Sequence, residues 1–182
     1  SFSGCPRRAK KSRATSSAPS ARSAAVGQAA ICRLDTLYPS YQFDIKAEQS
    51  ALLKADIIVL QFPFSWYAMP GLMKLWLDKV FLHGFAHGSK GKLGGKKLLI
   101  SFTTGAPAAV YQKDGAFKHT VEDYLPQFET TATLCGLDYQ GAVYTNGISY
   151  TNRDDAAAVA AQQQLAAEHA QRVLAKLNAL AA

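Results

Sequence analysis

Two short segments of the sequence combine residue types that can hold a flat ring with a polar edge. The first, Pro63-Phe64-Ser65-Trp66-Tyr67, offers aromatic faces and backbone N–H groups. The second, Thr103-Thr104-Gly105-Ala106, offers hydroxyls and a glycine that lets a ligand approach the backbone closely. Together they predict a slot for a planar ring rimmed with heteroatoms. Each segment also has a structural interpretation that stays open. The first could be a hydrophobic plug or a dimer contact, and the second could be an ordinary end of a strand.

Each segment follows a run of apolar residues that is typical of a buried parallel strand. These runs are residues 56–62 and 98–104. A third strand is predicted over residues 139–144 and a short one over residues 31–34. Because ligands of parallel sheets bind beyond the carboxyl ends of the strands, we expect the two segments to meet at one site.

Helical patterns alternate with these strands. Helices are predicted over residues 45–54, from Pro70 to Phe81, over residues 121–134, and over residues 154–181, where Thr151 or Asn152 can cap the start. Alternating strands and helices predict an α/β fold with three layers and a parallel sheet.

Length and charge divide the chain into two parts. Its 182 residues suit one domain, predicted over residues 31–182, and its 48% apolar and 18% charged residues are globular in character. Residues 1–30 are a basic segment rich in Ser and Ala that supplies six of the seven net positive charges. Since the rest of the chain is nearly neutral and has no base-reading motif, we expect no nucleic-acid function.

Cysteine and histidine usage argues against disulfides and metal sites. The three cysteines are widely spaced and form no CxxC pair, which favours a reduced, cytoplasmic location. The composition of residues 1–30 overlaps with that of transit peptides, which leaves that alternative open. His83 and His87 have no cysteine or carboxylate at ligand spacing, so we expect no metal. No apolar run is long enough to span a membrane.

A specific set of motifs resembles the flavodoxin-like NAD(P)H quinone oxidoreductases, together with the ancillary subunits of bacterial potassium-efflux systems. The matching stretches are QFPFSWYAMPGLMKLWLDKVF, GFAHG, GGKKLLISFTTGAP and CGLDYQGAVYTNG, and they span residues 57–147. The resemblance implies bound FAD or FMN, with NAD(P)H as the co-substrate. It places residues 63–67 along the flavin ring and residues 103–106 at the polar edge of that ring.

The same resemblance assigns roles to three further residues. Tyr111, which follows the TTG motif, is implied to hydrogen-bond near the flavin and to stabilise charge as hydride arrives. Ser12 and Thr15 stand where the family binds the flavin phosphate. The resemblance places the phosphate-binding turn at Gly4-Cys5-Pro6, and only Ser1–Ser3 precede it. The apolar first strand of the family is therefore degenerate or missing here, and we expect a truncated or altered N-terminal sequence. A helix is expected over residues 10–30.

These features predict a flavoenzyme that passes a hydride from NAD(P)H through flavin to a quinone or similar small-molecule acceptor. The resemblance also implies a homodimer with the active site at the seam between subunits. The alternative is a non-catalytic regulatory subunit of a membrane ion transporter that keeps the same fold.

Overall fold

Three apolar runs form a parallel sheet. The computed structural model describes residues 30–149, 151 and 153–182. In this part of the chain, β1 (Ile57–Pro63), β2 (Lys97–Thr103) and β3 (Asp138–Thr145) lie side by side in that order, and both strand pairs are parallel. The central strand β2 is buried from Leu98 to Phe102, which explains its continuous apolar sequence.

Local chemistry explains several of the helix ends. They are α1 (Leu34–Leu37), α2 (Ile45–Lys54), α3 (Gly71–Val80), α4 (Pro126–Cys135) and α5 (Ala156–Ala181), with 3-10 turns at Ala108–Val110 and Glu122–Tyr124. Asp44 caps α2 by accepting a 3.0 Å hydrogen bond from the N–H of Ala47. Pro70 precedes α3, and Gly136 ends α4 in the left-handed conformation at φ 65°.

The helices cover both faces of the sheet. On one face, alternate residues of β1 and β2 pack with buried side chains of α2, α3 and α4 in one core cluster. Three stacked rings cross this face, Phe62, Phe102 and Tyr144, with neighbouring centroids 5.7 and 5.4 Å apart. On the other face, α5 lies against β2 and β3 through the buried His169. The predicted three-layer α/β architecture is therefore confirmed.

Three local predictions differ from the structure. The strand predicted over residues 31–34 is wrong: Ile31 is exposed and Leu34 begins the short helix α1, because no described strand offers this segment a partner. The helix predicted from Val121 starts only at Pro126, after a 3-10 turn. The helix α5 is capped by Asp155, which accepts from the N–H groups of Ala157 and Ala158.

Residues 1–29 lie outside the described part of the chain. The basic segment, the helix predicted over residues 10–30, and the candidate phosphate residues Ser12 and Thr15 therefore stay predictions. Within the described residues, no helix is both long and apolar enough to cross a bilayer.

Candidate functional site

The aromatic segment forms a tight two-residue turn. Ser65 and Ala68 exchange backbone hydrogen bonds of 3.0 and 3.1 Å, and the two residues between them, Trp66 and Tyr67, have φ angles of 49° and 64°. Two consecutive positive φ angles are the geometry of a type I′ turn, which normally uses Asn-Gly. Bulky residues in this region cost on the order of 1–3 kcal/mol each, and such strain tends to occur at functional sites.

The rings of this segment point to different surroundings. Phe64 is buried, with its ring 4.8 Å from that of Phe102, so a ligand can meet Phe64 only through its backbone. Trp66 is 92% exposed. Tyr67 lies between these extremes, because it stacks on Tyr124 at 5.3 Å and meets the edge of Phe117 at 5.6 Å. The segment therefore has a buried anchor and an exposed aromatic tip, and Trp66 is not part of a hydrophobic plug.

The sheet brings the two predicted segments together. Pro63 and Thr103 are partners in the register of β1 and β2, and Phe64 donates a 2.8 Å backbone hydrogen bond to the carbonyl of Thr103. On the other side, the N–H of Thr104 donates to the carbonyl of Thr145 at the end of β3. The strand ends thus form one edge, as expected for a ligand site in a parallel sheet.

The Thr104 hydroxyl holds the second segment against a residue that the sequence analysis did not select. Its Oγ1 lies 2.8 Å from the carbonyl oxygen of Ala106 and 2.9 Å from Oδ1 of Asn146. A hydroxyl has one hydrogen, so both contacts are satisfied if the Asn146 amide turns its nitrogen towards Thr104. Asn146 and Gly147 directly follow β3, and an Asn-Gly pair after a strand is a turn signal that points to this position.

Gly105 and the backbone N–H groups of the two segments decide whether a ring can bind here. A Cβ added at Gly105 would come no closer than 3.9 Å to any other atom of the chain, so internal packing does not require glycine here. The backbone N–H groups of Trp66, Tyr67, Gly105 and Ala106 have no partner among the described residues. Unpaired backbone donors suit a ring whose edge carries hydrogen-bond acceptors, so the donor chemistry of these residues fits a flavin.

Tyr111 lies in the aromatic cluster behind the two segments. It is 5% exposed and meets the edges of Phe117 and Tyr124. Burial raises the pKa of its hydroxyl, and a hydrogen bond with the Thr104 side chain opposes this effect. Tyr111 therefore carries its proton at neutral pH, and its hydroxyl lies near the Thr104 side chain of the second segment.

A cavity of about 250 Å³ lies beside the same strand ends. Its lining includes Pro63 and Thr103 from the two segments and also His169 from α5. This cavity is not between the aromatic turn and the Thr104 segment, because its lining lacks Trp66, Tyr67 and Gly105. The residues with unpaired backbone donors therefore do not line this cavity.

The histidines that the sequence analysis considered as metal ligands pair only with each other in the described part of the chain. The rings of His83 and His87 lie edge to face with centroids 5.4 Å apart. No group of three or more potential ligands occurs within the described residues.

The chain is similar to several proteins of known sequence or structure. A Bacillus subtilis protein named as an uncharacterized NAD(P)H oxidoreductase is 37% identical over 119 residues, which cover 65% of this chain and 68% of that protein. The structure of general stress protein 14 from Treponema denticola in complex with FMN is 38% identical, with a TM-score of 0.70, and the match covers 81% of this chain and 79% of that one.

A third match is an NADPH-quinone reductase structure from P. pentosaceus, which is 30% identical with a TM-score of 0.61 and covers 76% of this chain and 85% of that one. The sequence profile of the flavodoxin-like fold matches residues 11–169. This match includes all three strands and the edge on which the candidate site lies. The chain therefore belongs to the flavodoxin-like fold family.

Proposed function

We propose that this protein is a flavin-dependent oxidoreductase that passes a hydride from NAD(P)H to a quinone or similar small-molecule acceptor. The observation that carries the proposal is the meeting of two sets of unpaired backbone donors at one sheet edge, in the Trp66-Tyr67 turn and at Gly105 and Ala106. The oxidoreductase names of two similar proteins support the reaction class.

Within this proposal, each segment has its own task. The turn at Pro63–Tyr67 would bind along the face of the ring, and the segment at Thr103–Ala106 would donate hydrogen bonds to its polar edge. The chemistry supplied when flavin is bound is hydride transfer, from NAD(P)H to the ring and from the ring to the acceptor. Tyr111 would hold a proton close to that edge, since burial keeps its hydroxyl neutral.

FMN is the flavin that we favour over FAD, because the similar structure from Treponema denticola was solved in complex with FMN. Ser12 and Thr15 are the proposed contacts of the flavin phosphate. None of the similar proteins described above is named as a transporter subunit, so the regulatory alternative has no support among them.

We also propose that two copies of the chain form a homodimer with the site at their seam. Trp66 and Leu82 support this arrangement, because they are 92% and 44% exposed and large apolar side chains are costly to leave in water. Sedimentation of the full chain with FMN is expected to give the mass of a dimer at micromolar concentration. A monomer that retains FMN would refute the dimer but not the activity.

The activity is tested by reconstitution. The purified chain is mixed with FMN or FAD, freed of unbound flavin, and assayed for oxidation of NADH and NADPH with a benzoquinone as acceptor. We expect a yellow protein that oxidises at least one nicotinamide and depends on the quinone. A chain that stays colourless and inactive with both flavins would overturn the proposal.

A further inference from the structure

The Trp66-Tyr67 turn needs support from outside itself. Its two internal hydrogen bonds join Ser65 to Ala68 and would also form in a turn built from residues that tolerate positive φ angles. Trp66 makes no ring contact within the described residues and is 92% exposed, so it cannot hold the turn. The holding contacts must therefore act on Tyr67.

Tyr67 is held by Tyr124. The two rings stack with an interplanar angle of 18°, while Phe117 meets Tyr67 at 85° from another side. Tyr124 also contacts the rings of Phe64 and Tyr111, at 5.8 and 6.4 Å. Among the described rings, Tyr124 alone contacts all three of Phe64, Tyr67 and Tyr111.

Tyr124 itself stands on a firmly anchored 3-10 turn, Glu122–Tyr124. The carboxylate of Glu122 accepts a 2.5 Å hydrogen bond from the hydroxyl of Tyr144 on β3. The carboxylate of Asp123 accepts from the Lys113 ammonium and from the N–H of Thr120. The neighbouring Val121 is buried. These contacts link the position of the Tyr124 ring to the sheet and to the loop that follows Tyr111.

We propose that Tyr124 is a positioning residue, whose ring holds Tyr67 and thereby keeps the Trp66-Tyr67 turn in the conformation that receives the ligand. The part of this proposal that concerns ligand binding rests on the proposed flavin function. The part that concerns the turn applies to the ligand-free protein as well. Two measurements can therefore separate a failure of one from a failure of the other.

The first measurement is the fluorescence anisotropy of Trp66 without ligand. The chain has two tryptophans, and a Trp66→Phe variant gives the signal of Trp76 alone. Tyr124→Leu removes the stacked ring and is expected to lower the Trp66 anisotropy, whereas Tyr124→Phe keeps the ring and the anisotropy. The matched control is Phe43→Leu, which removes a half-buried ring that contacts Tyr38 and should leave the Trp66 signal unchanged.

The second measurement is FMN affinity of the same full-length variants. Tyr124→Leu should weaken FMN binding about 2- to 12-fold, which corresponds to the ~0.5–1.5 kcal/mol of an aromatic pair. Tyr124→Phe and Phe43→Leu should each bind FMN with the affinity of the wild type. If Tyr124→Leu does not fold, Tyr67→Leu removes the other ring of the same stack, which is 39% exposed. This variant should also lower the Trp66 anisotropy.

The outcomes are decisive in each case. Unchanged anisotropy in the folded Tyr124→Leu variant, or in Tyr67→Leu, would overturn the positioning role. An equal loss of affinity in Tyr124→Leu and Phe43→Leu would also overturn it, because the effect would then be general destabilisation. Failure of the wild-type chain to bind FMN, with the anisotropy change intact, would refute the flavin proposal and support the positioning of the turn.

Discussion

The carboxylate of Glu48 accepts a 2.9 Å hydrogen bond from the indole Nε1–H of Trp76, and both side chains are buried. The other carboxylate oxygen accepts a 2.7 Å bond from the hydroxyl of Tyr38. The pair joins α2 to α3, the helix that follows the aromatic turn. A buried polar group is stabilising only while it is paired, so this contact is sensitive to loss of either partner.

Replacement of Glu48 by alanine is expected to destabilise the protein. It leaves the Trp76 N–H buried without an acceptor, at a cost of about 1–3 kcal/mol. Urea unfolding of the wild type and of Glu48→Ala measures this loss. Glu48→Gln is the control, because its amide oxygen can still accept from Trp76. Equal stability of Glu48→Ala and the wild type would mean that water replaces the carboxylate without cost.

Replacement of Trp66 by alanine is expected to weaken flavin binding with little effect on folding. Trp66 is almost fully exposed, so its loss removes no core packing. Under the proposed function it removes a contact with the flavin ring. By analogy with the stacking of bases on aromatic side chains, the loss is ~1–3 kcal/mol, or roughly 5- to 150-fold in affinity. FMN titration and thermal unfolding without flavin measure the two effects.

The contrasting variant is Trp76→Ala, since Trp76 is 5% exposed. Truncation of a core tryptophan costs about 3–5 kcal/mol. Unchanged affinity together with a large loss of stability in Trp66→Ala would show that the turn supports the fold and does not bind the ring.

Substitution of Gly105 by alanine separates ligand space from internal space. The added Cβ has room within the chain, so thermal stability should stay close to that of the wild type. If the ring edge binds there, the methyl group would crowd it, and FMN affinity should fall by about 1–3 kcal/mol. Calorimetry and FMN titration test these two expectations.

Gly115→Ala is the matched control for that substitution. A Cβ at Gly115 would lie 2.8 Å from the carbonyl oxygen of Ala109, closer than side chains normally approach backbone, so this variant should lose stability. A stability loss in Gly105→Ala as large as that in Gly115→Ala would contradict the conclusion that a Cβ fits at Gly105 without a clash.

The buried His169 predicts a loss of stability at acidic pH. Its Nε2 lies 2.9 Å from the Ser101 hydroxyl and its Nδ1 lies 2.9 Å from the Thr145 hydroxyl. Burial, together with the nearby positive charge of Arg172, lowers the pKa of His169 below its ordinary value of 6.5. The folded state therefore favours the neutral ring, and its contribution is complete above that value and declines as the pH falls below it.

Urea unfolding at a series of pH values from about 8 to about 5 measures this decline. His169→Gln cannot take up the proton, so its stability should depend less on pH over that range. The guanidinium of Arg172 lies 2.5 Å from the Thr145 hydroxyl and so belongs to the same cluster. Arg172 is therefore kept in both proteins that are compared. A wild-type stability that does not change across the range would show that His169 titrates normally.

The sequence alone predicted the three strands of the described sheet and the edge at which the two candidate segments meet. Residues 56–62 and 98–104 are continuous apolar runs, and a strand buried on both faces of a parallel sheet requires such a run. The two loops that follow them had to meet, because parallel neighbours place their carboxyl ends at one edge. The start of α3 was equally local, since Pro70 directly precedes it. The start of α4 at Pro126 was not predicted, because the helical pattern was traced from Val121.

Tertiary contacts decided the conformation of the aromatic turn, the burial of Glu48 and the structure of residues 31–34. No local rule predicts Trp66 and Tyr67 in a type I′ turn, which the stack of Tyr67 on Tyr124 supports from 57 positions away along the chain. Glutamate in a helix is usually exposed, and only packing against α3 buries Glu48. Residues 31–34 carry a strand-like pattern, yet they lack a neighbouring described strand to pair with. A strand needs a partner and a strained turn needs external contacts, so both depend on residues distant in sequence.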